Sequence, residues 1–150
     1  MQTDDAMEST LPKKIGNGAS LIGNEYGWDL SCFPDALTNA EKLHYACLGG
    51  QFQVRLESGV CEMYWLNADS DDRQPGEEWG EYCRRSCAEV RQNFERLVLE
   101  TDFSKQSVGW PHIREAMVRG FDPRQRLVFV AYFVDEAEWL DVERRRKPKA

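Results

Sequence analysis

The residues Gln51-Phe52-Gln53-Val54-Arg55-Leu56-Glu57 alternate polar and apolar without a break. Successive side chains of a strand point to opposite faces, so this pattern predicts a half-buried β-strand. Ser58-Gly59 supplies a tight turn, and Val60 to Leu66 returns as a second strand, giving a hairpin over 51–66. The return strand carries Cys61, Met63 and Trp65 on one side and Val60, Glu62, Tyr64 and Leu66 on the other. Two partly apolar faces predict an interior place in the sheet. A further strand is predicted at 126–134, where Leu127 to Val134 reads LVFVAYFV. An unbroken apolar run of this kind marks a strand buried on both faces, and it is far too short to cross a bilayer.

Helical spacing dominates elsewhere. Trp79, Cys83, Cys87, Val90, Phe94, Leu97 and Val98 recur at three- and four-residue steps and predict one long helix over about 77–101. Glu77, Glu78 and Glu81 stand at its start, where the helix dipole favours acids. Thr38 followed by Glu41 has the spacing of a capping box and predicts a helix at 39–48, stopped by Gly49-Gly50. Pro111 opens a helix that ends by Gly120, and Asp135 with Glu138 opens a last one to about 145. Residues 15–37, rich in glycine, read as loops with a short strand near 25–30. The segments 1–14 and 146–150 read as tails, the second basic. The expectation is a single α+β domain at 15–145: a small, mainly antiparallel sheet packed with three to four helices. Either helices flank both faces of the 126–134 strand, or an N-terminal strand completes the sheet.

Composition narrows the class. A chain of 150 residues, 41% hydrophobic and 30% charged, is long enough to bury a core without disulfides or metal. Disordered, collagen-like and coiled-coil chains are excluded. The opening MQTDDAMEST is polar and acidic, unlike a signal peptide. Five cysteines, an odd number, read as reduced, core-filling thiols in a cytoplasmic protein. The net charge is −7, although Arg144, Arg145, Arg146, Lys147 and Lys149 bring five bases to the C-terminus, so the body is more acidic still. Nucleic acids and anionic membranes select basic surfaces, so neither is an expected partner.

Candidate chemistry is sparse. Gly16-Asn17-Gly18 begins like a dinucleotide turn, but Leu21 stands where the third glycine belongs. The GASLIG segment lacks the Lys-Ser/Thr of a phosphate loop. His44 and Cys47 have helical spacing, as would suit a thiol and its base, and Cys83 and Cys87 share one helical face. Amphipathic packing explains both pairs, and no C-x-x-C accompanies the second as a zinc site would require. From Asn67, acids fall at the third, fifth and twelfth positions of a calcium loop, but Asp72 replaces the glycine at the sixth. No cofactor or metal is therefore expected.

The most distinctive patch is acidic. Asp69, Asp71, Asp72, Glu77 and Glu78 crowd one segment that holds a single base, Arg73. With Trp110, the tryptophan most open to exposure after Val108-Gly109, they are the expected partner-binding residues. The expected function is a small acidic cytoplasmic binding protein. It would be comparable in size and charge to bacterial immunity proteins and antitoxins that inhibit a basic partner such as a toxin or nuclease. The alternative is a small enzyme or ligand-binding domain, with an aromatic and carboxylate pocket formed where Glu62, Tyr64 and the glycine-rich segment 16–27 converge.

Overall fold

A computed structural model describes residues 11–146 as one five-stranded antiparallel sheet with six α-helices. The strands are β1 (Ala19–Ile22), β2 (Glu25–Asp29), β3 (Ala46–Leu56), β4 (Gly59–Asp69) and β5 (Leu127–Val134), in the spatial order β1-β2-β5-β3-β4. The helices are α1 (Lys13–Gly16), α2 (Phe33–Lys42), α3 (Trp79–Glu100), α4 (Phe103–Ser107), α5 (Pro111–Val118) and α6 (Glu136–Arg146), with a 3-10 turn at Pro123–Arg126. The fold is α+β. No helix among the described residues is long and apolar enough to cross a membrane.

β5 is central, which accounts for its unbroken apolar sequence. Phe129 pairs with Trp28 on one side and Phe52 on the other. Leu127, Phe129, Ala131 and Phe133 enter the main core, while Val128 and Val130 are buried outside it, on the second face of the sheet. An N-terminal hairpin, β1–β2, completes the sheet beside β5, and Trp28 Nε1 donates to the Ile15 carbonyl at 2.9 Å. Phe33 sits in the middle of the aromatic core, with ring centroids 4.7 Å from Phe129, 4.9 Å from Phe94 and 5.7 Å from Trp28.

α3 has the boundaries its apolar stripe predicts within two residues, and it starts with a reciprocal capping box between Glu78 and Glu81. Asp135 and Glu138 likewise exchange caps at α6, at 2.8 and 2.9 Å. The 39–48 helix is corrected. α2 starts at Phe33 with Pro34 in its first turn, and Thr38 lies within it, its hydroxyl donating to the Pro34 carbonyl. His44, at φ 63°, follows the helix in the left-handed region, and Ala46 already belongs to β3. Gly49 and Gly50 are strand residues. Gly49 has φ 123° at a register shift, and a side chain at Gly50 would strike the Val130 carbonyl.

The interior position for the return strand is also corrected. β4 is an edge strand, paired with β3 alone. Its second apolar face is surface, with Val60 and Tyr64 exposed. Leu11 packs against the core and α1 follows it, so packed structure is present ahead of residue 15. Most of the expected N-terminal tail, 1–10, and the last residues of the basic one, 147–150, lie outside the described residues.

Candidate functional site: the outer strand and the acidic loop

The acidic segment is a built loop. Asp69 ends β4, its carboxylate accepts the Gly50 N–H, and partial burial raises its pKa against that bond. Beyond it, Arg85 on α3 gathers the chain. Its Nε and Nη2 donate to Glu77 at 2.7 and 2.9 Å, and further donors reach the Asp71 and Asp72 carbonyls and Glu89. A forked guanidinium–carboxylate pair of this kind fixes geometry as well as charge. Arg73, the loop's one base, is also engaged. It lies between the rings of Trp79 and Trp139, 5.1 and 4.8 Å from their centroids, and pairs with Glu136 at 3.2 Å.

The five predicted acids therefore divide. Glu77 is locked by Arg85, Glu78 caps α3, and Asp69 closes on β3. The carboxylates of Asp71 and Asp72 are neither hydrogen-bonded nor ion-paired among the described residues. The hydrogen bonds from Arg85 hold the Glu77 pKa down to about 2. An unfolded glutamate takes up its proton near pH 4.3, so the bridge acts fully above that value and is lost as the pH falls toward 2. A carboxyl-carbon NMR titration of Glu77 is expected to show a midpoint near 2. A midpoint at the ordinary glutamate value would mean that the fork is not formed.

An aromatic group sits on the same outer strand. Between the pairs Gln51–Asn67 and Phe52–Met63 the register slips, so residues 64–66 leave the regular ladder. Trp65 turns toward the helices, stacks on Trp110 at 5.5 Å and 12°, and donates Nε1 to Gln106 at 2.8 Å. Tyr64 meets it edge-on at 5.4 Å. Trp110 is half-buried, whereas Trp65 is 46% and Tyr64 67% exposed. The alternation alone hides these two residues, because it assigns Trp65 to the core side of a regular strand.

The His44–Cys47 pair read from helical spacing does not form, whereas Cys83 and Cys87 share the buried face of α3 as their spacing predicts. His44 lies in a turn and Cys47 in β3, where its N–H donates to Ser86 Oγ. Burial pushes Cys83 and Cys87 up to about 12. No cluster of three potential metal ligands exists among the described residues. A different pair is present, with Cys61 Sγ 3.2 Å from His112 Nε2. The thiol is wholly buried and its pKa is raised by that burial, so it rests as a protonated core thiol. Cys32 alone is part-exposed; the other four are buried. One rapid modification, at Cys32, followed by four that await unfolding, is the expected result of labelling the native protein with a thiol reagent. A second rapid thiol would contradict this packing.

On the second face of the sheet a polar chain runs sideways. Glu62 accepts from Gln53 at 3.3 Å, Gln53 accepts from Arg55 Nε at 2.6 Å, and Arg55 donates onward to Ser20 and the Glu25 carbonyl. Gln53 is 1% and Arg55 6% exposed. Arg55 lies so close over Gly27 that a Cβ there would come within 2.9 Å of its Cζ. Glu62 is thus linked to the segment 16–27, but by filled hydrogen bonds rather than around a pocket, and Tyr64 packs on Trp65 instead.

Comparison with known protein families, with curated proteins and with solved structures finds no match.

Proposed function

We propose that this protein binds a basic protein partner and acts by occupying it, as an immunity protein or antitoxin occupies a toxin or nuclease. The observation that carries this reading is the composition of one edge. Tyr64 and Trp65 stand exposed on β4, backed by Trp110, and the same strand leads at Asp69 into a braced loop bearing Asp71 and Asp72, whose carboxylates have no partner among the described residues. Exposed aromatics on a rigid support are the usual anchors of an interface. Clustered carboxylates at its margin speed encounter with a positive partner and repel anionic competitors. Bracing by Arg85 and Arg73 means that little loop order remains to be lost on binding. A reducing, cytoplasmic setting fits five cysteines without a disulfide.

The test is binding kinetics with a partner captured from the source cells. Asp71→Asn with Asp72→Asn is expected to slow association several-fold at low salt, with the difference closing as salt rises and dissociation little changed. An unchanged association rate at low salt would remove the acidic loop from the interface.

A further inference from the structure

A cavity of about 420 Å³ opens between the β1–β2 hairpin, β5 and α6, on the side away from the β4 edge. Its volume is that of a site for a small organic molecule. Leu21, Leu48, Phe133 and Val142 form apolar walls, and among the described residues no lysine, arginine or histidine lines it. Its polar lining is Asn24, Tyr26, Tyr45, Tyr132 and Glu138, of which Glu138 alone is charged. Glu138 lines it from the first turn of α6, and the charges of Glu138 and the neighbouring Asp135 both bear on Tyr45. The Tyr45 hydroxyl has no hydrogen-bond partner among the described residues.

The two carboxyl groups lie side by side at the helix cap, and neither has an ion-pair partner among the described residues. Glu138 is thus the one carboxylate facing the apolar hollow, and the Asp135 carboxylate beside it adds negative charge that favours a cation there. We infer that this cavity binds a small hydrophobic amine, its apolar body against Leu48, Phe133 and Val142 and its ammonium group on Glu138, with Tyr45 as a neighbouring hydrogen-bond group. Burial already raises the Glu138 pKa, and a bound ammonium would offset that loss of solvation. Anionic ligands of the same shape would meet like charge.

The probes are phenethylamine, its neutral counterpart phenethyl alcohol and its anionic counterpart phenylacetate. Each is titrated into the full chain at neutral pH while the methyl NMR signals of Leu48 and Val142 are followed. Phenethylamine is expected to saturate, binding roughly tenfold tighter than the alcohol, the scale of one hydrogen bond to a charged group. Phenylacetate is expected not to saturate. Glu138→Gln keeps an oxygen for the Asp135 N–H and should bring the amine down to the affinity of the alcohol. Val142→Trp should fill the cavity and abolish both. Equal binding of amine and phenylacetate, no methyl shift with the amine, or amine binding unaffected by Glu138→Gln would each overturn the inference. The ligand series on the unmodified protein decides the matter even if a variant fails to fold.

Discussion

Replacing Phe33 by alanine is expected to lower the stability of the fold by about 3–5 kcal/mol, the range for emptying a buried phenylalanine site. The residue is wholly buried at the start of α2, and its ring meets Trp28, Phe94, Phe129 and Phe133, which come from β2, α3 and β5. Removing it takes away transfer energy and leaves a hole bounded by rings. Those rings are held by two strands and a long helix, so the hole cannot close by moving one element. Urea unfolding should show a lower midpoint with an unchanged slope. A loss under about 1 kcal/mol would mean that the aromatic core repacks freely, contrary to the close-packed arrangement described.

Replacing Trp65 by alanine is expected to weaken partner binding by about 2–4 kcal/mol, the range of an interface hot spot, with a much smaller effect on stability. The indole is braced on its inner side by Trp110 and by the hydrogen bond to Gln106, so it is presented in one orientation. Tyr64→Ala should weaken binding less, since that ring touches Trp65 only edge-on. Trp110→Ala should act on both binding and stability, because Trp110 lies half-buried behind Trp65. Isothermal titration with the captured partner, paired with thermal unfolding of each variant, separates the two effects. Full affinity in the Trp65 variant would place the interface elsewhere.

What could be read in the sequence was local. The apolar stripe of α3 and the acids at its start, the capping pattern at 135–138, the β3–β4 turn and the buried run of β5 depend on neighbours in the chain, and all stand in the structure. α2 was misplaced because Thr38 and Glu41 imitate a cap inside a helix that Phe33-Pro34 actually begins. The spacing of Phe33, Ala36, Leu37 and Ala40 carried the correct signal. The order of strands depends on pairings distant in sequence, so nothing local showed that β4 is an edge or that β1–β2 flanks β5. The candidate site was half legible. The acidic segment was evident, but the division of its carboxylates rests on Arg85 and Arg73, whose partners lie across the loop and along α3. Cys61 and His112 are 51 residues apart, and no spacing rule connects them.

The proposed meeting of the β4 edge with a basic protein can be tested by site-specific photo-crosslinking. A benzophenone side chain is placed at Tyr64 in one version of the protein and at Val118 in another, and both are irradiated in cells of the source organism. Both positions are exposed, and Val118 ends α5 at the far end of that helix from Trp110. A discrete adduct is expected from position 64 alone, with a protein of basic isoelectric point, and it should be lost when Trp65 is also replaced by alanine. Adducts of equal yield from both positions, or an adduct from position 64 with an acidic protein, would contradict it.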